Sequence, residues 1–302
     1  MPSYLSGLFA HPGGFFSSDA SYADARVVIL GAPMDWTTSF RPGTRFGPRK
    51  IREVADGLEE YSLAVGRSLD RKSYVDIGDL ILPLGNVEGS LQVIEHAMRT
   101  VVQDGKRPLL LGGEHLVSYP ALQAVVSRYG GDLAVVHLDA HADLRDSFFG
   151  ERLSHATVLR RICEIDDRIE VYQFGIRSGV AEEVEYARQR THLFPLEILD
   201  PMREALPSLK GRPVYLTFDI DVVDPAYAPG TGTPEPGGCS AREALAAVAM
   251  LGQLDLVGAD LVEVSPEDDP SGRTAILAAK IIRELLIFMG NPVASAAAGL
   301  AE

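Results

Sequence analysis

The chain has 302 residues, 46% of them hydrophobic, and a formal net charge of −14. That is enough apolar material for a sizeable core, and an α/β chain of this length is expected to form one domain spanning residues 1–302. The acidity argues against nucleic acid or an anionic membrane surface as partner, since either calls for a basic patch, and it suits a small cationic ligand.

Met1–Phe16 has neither the basic nor the apolar region of a signal peptide, and no apolar run approaches the ~20 residues of a membrane span. Strand-like runs rich in β-branched residues follow at Val27–Leu30, Tyr74–Ile77, Leu109–Leu111, Leu133–Leu138, Ile169–Phe174, His192–Phe194, Val214–Phe218 and Leu256–Val264. Several are apolar on both faces, as strands covered on both sides must be. Helical stretches intervene at Val87–Val102, Pro120–Arg128, Ala181–Arg190, Ala241–Leu251 and Thr274–Met289, the last with Ile276, Leu277, Ile281, Leu285 and Met289 at helical spacing. The alternation predicts a three-layer α/β/α fold around a mostly parallel sheet of about eight strands. Pro225–Gly238 has a linker's composition but directly follows an acidic cluster, so it reads as a rigid site loop. The small-residue tail from about 294 to 302 is expected to fray. Cys163 and Cys239 form no CxxC pair and read as reduced thiols of a cytoplasmic protein.

Three segments stand where a strand is expected to end: Gly112-Gly113-Glu114-His115, Asp139-Ala140-His141-Ala142-Asp143 and Asp219-Ile220-Asp221-Val222-Val223-Asp224-Pro225. Ligands of open parallel sheets bind beyond the carboxyl ends of the strands, so the three can converge. In extended chain Asp219 and Asp221 present both carboxylates to one side, and Asp139, His141 and Asp143 share the same parity. Four carboxylates gathered with His115 and His141 would repel one another unless cations sat between them. The oxygen and nitrogen donors suit Mn²⁺ and accept Co²⁺, Ni²⁺ or Zn²⁺, and the lack of cysteine argues against a structural zinc site. Six side chains exceed the needs of one open ion. Two ions ~3.5–4 Å apart would turn a bridging water into hydroxide near neutral pH. His137, inside an apolar run, reads as a core histidine, while His11, His96 and His192 have no ligand context.

The GGEH, DAHAD and DIDVVDP segments resemble those of the ureohydrolases, the group containing arginase and agmatinase, over about Ala25 to Met289. Pro33-Met34-Asp35-Trp36, Arg41–Pro48 and Gly57–Ser62 make the resemblance closest to bacterial agmatinases. It implies the arginase fold, a homotrimer or homohexamer, and two Mn²⁺ ions per chain. His115, Asp139, Asp143 and Asp219 match the ligands of one ion, and Asp139, His141, Asp219 and Asp221 those of the other. Glu263 matches the carboxylate that binds the guanidinium, Thr233 a position beside it, and His155 a proton-shuttling histidine. The family's usual glycine after that histidine is Ala156 here. Asp143 would accept or hold the nucleophile's proton.

The implied reaction is hydrolysis of a guanidino compound to urea and an amine. Arginases hold the amino-acid head group with Asn, Ser and Asp side chains. Leu144–Ser154 contains no Asn, and Gly175-Ile176-Arg177 is followed by Ser178 where arginases have an acid. Agmatine, giving putrescine in polyamine biosynthesis, is therefore expected, with 4-guanidinobutyrate or arginine as alternatives. An inward Arg145 would favour 4-guanidinobutyrate; an Arg145 paired with Asp146 or Glu151 on the surface would favour agmatine. A single-metal amide hydrolase of the deacetylase type would need fewer ligands, and a non-catalytic relative should have lost some.

Overall fold

The computed structural model describes residues 7–10 and 14–291. The tail expected to fray, about 294–302, and His11 lie outside the described residues. Each β-branched run forms a strand: β2 (Val27–Ala32), β5 (Tyr74–Leu80), β6 (Arg107–Gly112), β7 (Ala134–Leu138), β8 (Glu170–Ile176), β9 (His192–Pro195), β10 (Pro213–Asp219) and β11 (Asp255–Val262). These eight are parallel, and the two-residue strand β1 (Phe9–Ala10) adds an antiparallel edge. The sheet order is β1-β5-β2-β6-β11-β10-β7-β8-β9, and β3 (Tyr61–Ser62) and β4 (Arg67–Ser68) form a separate small hairpin. The chain crosses from β6 to β7 leaving a two-strand gap, which β10 and β11 later fill.

Helices cover both faces, as the two-sided apolar strands require. Side chains alternating along β2 enter two separate cores: Val27 and Ile29 join one, Val28 and Leu30 the other. The first core is closed by α1 (Gly47–Ala55), α6 (Leu199–Leu209), α7 (Ala241–Leu251) and α8 (Arg273–Gly290). The second is closed by α2 (Val87–Gln103), α3 (Ser118–Tyr129), α4 (Val158–Cys163) and α5 (Ala181–Arg190). Helices α1, α4 and α6 are not evident from the sequence pattern. Pro48 opens α1 in the first turn, where proline is tolerated. Helix α4 has only six residues, too few to show a period. Helix α6 carries Pro207 inside it, which reads as a breaker. β11 stops at Val262, two residues before the expected Val264, because Glu263 takes a left-handed backbone with φ 64°.

Among the described residues, no helix is long and apolar enough to cross a membrane. Cys163 is buried, Cys239 half-buried, and both are free thiols.

Candidate metal centre and substrate pocket

Strands β6, β7 and β10 deliver the three segments to one place at their carboxyl ends, and β11, between β6 and β10, brings Glu263 there. After β6, the Gly112-Gly113 turn lets two stretches of backbone touch. A Cβ on Gly113 would lie 1.9 Å from the Met34 carbonyl oxygen. Gly113 and Glu114 instead donate their N–H groups to the carbonyls of Ala32 and Met34. The turn then sets His115 in a single 3-10 turn, 1% exposed. Its Nδ1 lies 3.0 Å from Asp139 Oδ2, 3.1 Å from Asp143 Oδ2 and 3.3 Å from Asp219 Oδ2. His141 Nδ1 lies 2.9 Å from Asp221 Oδ2 and 3.6 Å from Asp139 Oδ1.

Local backbone conformation makes this convergence. Asp143 sits at φ 54°, turning its carboxylate back to His115. Asp219 and Asp221 do not stand side by side on an extended strand, as their spacing had predicted. Asp219 ends β10 and caps a 3-10 turn over Ile220–Val222, accepting the Asp221 N–H at 2.8 Å. The turn re-aims Asp221, so the two carboxylates meet different histidines. Asp221 Oδ1 is held by the Ala140 N–H at 3.0 Å.

His137 is a core histidine, fully buried as expected, and it also orients a member of the cluster. Gln173 donates to its Nδ1 at 3.1 Å, so the ring proton stands on Nε2 and is donated to Asp139 Oδ2 at 2.7 Å. Asp139 Oδ1 accepts the His141 N–H at 2.6 Å.

Burial and like charges leave this cluster in conflict. Burial and repulsion from Asp139 push Asp143 up to about 7. Burial, Asp221 and Asp139 push Asp219 well above the usual carboxylate range. Burial alone would raise Asp139, but His137, His115 and His141 hold it well below that range. His115 is driven up despite its burial, by hydrogen bonding to Asp139, Asp143 and Asp219. Its Nδ1 is buried and looks into three carboxylate oxygens. Such a position needs a positive charge at its centre: a proton in the metal-free chain, or a divalent ion that takes all four atoms as donors. Among the described residues, two groups have ligand atoms within 4.8 Å of one another: His115, His137, Asp139 and Asp143, and Asp139, His141 and Asp221. The donor set therefore fits divalent metal.

Beside the cluster opens a cavity of about 190 Å³. Glu263, Thr233 and His155 all line it, together with Ser39, Arg145, Phe148, Ser178 and Glu183. Glu263 is 6% exposed, its Oε1 accepts the His115 N–H at 2.7 Å, and burial with neighbouring Glu114 raises its carboxyl well above the usual range. Thr233 Oγ1 lies 3.4 Å from Asp221 Oδ2. His155 Nε2 lies 3.2 Å from Ser39 Oγ, and its backbone N–H donates to Thr37 Oγ1. Burial, seconded by His141 and His115, lowers His155 to about 4, so it is neutral at pH 7. Ala156 needs no glycine, for it has no positive φ.

Arg145 takes the inward of the two arrangements weighed from sequence. It lies on the cavity wall, its guanidinium 5.1 Å from the Phe148 ring centroid and its Nε 3.8 Å from Glu183 Oε2. Glu183 is buried and accepts the N–H groups of Leu144 and Val180. The Pro225–Gly238 loop is tied down, as expected. Gly237 and Gly238 donate to Asp224, Arg177 donates to the carbonyls of Glu235 and Pro236, and Thr231 bridges to Val264.

A family model described as "Arginase family" matches residues 25–288. The chain belongs to the arginase family. It is 50% identical over 276 residues to the agmatinase of Bacillus anthracis, covering 90% of this chain and 95% of that one. It is 39% identical to the guanidinobutyrase of Pseudomonas aeruginosa, covering 88% and 87%. The crystal structure of the agmatine ureohydrolase of Thermoplasma volcanium superposes with a TM-score of 0.82 at 32% identity, covering 95% of this chain and 97% of the other. The protein is thus a ureohydrolase, a hydrolase acting on the C–N bonds of linear amidines, with the arginase fold. Within the ureohydrolase site, Glu114, Glu183 and Asp260 went unread in the sequence. A carboxylate inside an apolar strand, as in Leu256–Val264, is the signal that could have found Asp260.

Proposed function

We propose that the enzyme hydrolyses agmatine to putrescine and urea with two divalent ions, Mn²⁺ first among them. His115, Asp139, Asp143 and Asp219 would hold one ion, and Asp139, His141, Asp219 and Asp221 the other. The observation that carries this reading is His115 Nδ1, buried among three carboxylate oxygens beside a cavity walled by Glu263. When bound, such ions supply a nucleophile by lowering the pKa of water toward neutrality. The remaining work falls to side chains. Glu263 takes the forked N–H donors of the guanidinium and turns its central carbon toward the cluster. Asp143 holds the proton of the attacking water. Neutral His155 takes up a proton on the cavity side and delivers it to the leaving amine.

For the tail of the substrate, the cavity lining beyond the proposed metal ligands and Glu263 carries one ion pair, Glu183 with Arg145. The 50% identity to the Bacillus anthracis agmatinase supports agmatine. One observation favours 4-guanidinobutyrate: Arg145 faces the cavity, and a substrate carboxylate would pair with it. A urea-release assay on Mn²⁺-loaded protein with agmatine, 4-guanidinobutyrate and arginine side by side tests the choice. Agmatine should give the highest kcat/KM, and a preference for 4-guanidinobutyrate would overturn it. Elemental analysis should find two ions per chain; one would favour a deacetylase-like single-metal site.

A further inference from the structure

Asp260 takes no part in the chemistry above, yet it is fully buried in the middle of β11, where a carboxylate is costly. It lies opposite Thr217 in the β10–β11 ladder, and Thr217 Oγ1 donates to its Oδ1 at 2.7 Å. Its other oxygen, Oδ2, accepts from Tyr215 Oη at 2.8 Å. Two hydroxyl donors, one on each oxygen, suit a carboxylate. The Thr217 hydroxyl has a single proton, and Asp260 takes it. Thr217 Oγ1 therefore has only lone pairs left for its next neighbour, His115 Nε2, at 2.8 Å. His115 must carry a proton on Nε2. Nδ1 is then the nitrogen left to take a metal ion, and Nδ1 is the atom that faces Asp139, Asp143 and Asp219.

We infer that Asp260 and Thr217 are positioning residues for the metal centre: a buried carboxylate, acting through one hydroxyl, fixes the His115 tautomer and orientation so that Nδ1 is always presented as a ligand. This rests on the reading of His115 as a metal ligand. Partners of this kind raise ligand basicity and are worth ~10–100-fold in metal affinity. The Asp260–Thr217 hydrogen bonds lead to His115, while His141 stands beside Asp221 on the other side of the cluster. The effect is thus confined to one of the two ions.

The test is titration calorimetry of Mn²⁺ into demetallated full-length protein. Thr217→Val keeps the shape and loses the hydroxyl; Thr217→Ser keeps the hydroxyl. Thr217→Val should weaken one of the two binding events ~10–100-fold and leave the other within ~3-fold, while Thr217→Ser stays within ~3-fold at both. Melting in EDTA should be unchanged for Thr217→Ser. If Thr217→Val does not fold, Asp260→Leu carries the same comparison, since it removes the acceptor that takes the Thr217 proton; one site should again weaken selectively. Wild-type affinity at both sites in Thr217→Val or Asp260→Leu, or equal weakening of both sites, overturns the inference. Wild-type protein that binds no divalent ion overturns the metal reading itself, and this inference with it.

Discussion

Replacing Asp219 by Asn should raise the stability of the metal-free enzyme and abolish most of the stability that metal adds. Asp219 is buried, and its ionisation is opposed by Asp221 and Asp139 as well as by loss of water. Its folded-state pKa lies above its unfolded value, so above the unfolded pKa its charge works against folding. An amide removes that charge and can still accept the Asp221 N–H on Oδ1. On the proposed reading metal would reverse the sign, because the carboxylate would then serve as a ligand. At one hundred times Kd, each ion adds ~2.7 kcal/mol, or ~5.5 kcal/mol for two. An unfolding entropy of ~2.1 cal/mol/K per residue over 302 residues gives ~0.63 kcal/mol/K, so saturation with Mn²⁺ should raise the wild-type Tm by ~9 °C. The assay is a thermal melt at pH 7.5 in EDTA and in Mn²⁺. Asp219→Asn should melt above wild type in EDTA and gain less than half the wild-type increment in Mn²⁺. A full Mn²⁺ increment would refute the bridging role, and a lower melting point in EDTA would refute the charge conflict.

Four further outcomes are expected. Glu263→Gln should lower kcat/KM for urea release ~10²–10³-fold with metal content unchanged, since a charged acceptor for the guanidinium is lost; a change below threefold would remove Glu263 from the reaction. The folded pKa of His155, about 4, lies below its unfolded value, so its contribution to stability is complete above ~6.5 and is lost as pH falls toward 4. Urea melts of metal-free wild type and His155→Gln should therefore diverge by ~2–3 kcal/mol between pH 7.5 and pH 4.5, wild type losing more; parallel curves would show that burial does not hold the ring neutral. Gly113→Ala, whose Cβ meets the Met34 carbonyl, should cost at least ~2 kcal/mol in denaturant titration, and a neutral result would mean the turn yields freely. Arg145→Gln should leave agmatine turnover intact or improved and lower that of 4-guanidinobutyrate tenfold or more; equal changes in both would exclude Arg145 from reading the substrate tail.

The parallel sheet was legible because strands apolar on both faces and helices at a 3.6-residue period give opposite patterns. The convergence of His115, Asp139–Asp143 and Asp219–Asp221 followed from strand ends alone. What escaped depended on backbone turns and on contacts across strands. The parity of Asp219 and Asp221 misled because the 3-10 turn starts between them. The partner of Arg145 is Glu183, thirty-eight residues away on α5, a pairing that local spacing cannot report. The Asp260–Thr217 contact requires the register of β10 against β11, fixed only once the sheet is assembled.

That register has a consequence for how the site is built. β11 is the last strand among the described residues, yet it lies between β6 and β10, separating the turn that bears His115 from the one that bears Asp219. The native spacing of His115 and Asp219 thus depends on residues 255–262 filling the gap, and a chain cut before them lacks the spacer that sets the candidate centre.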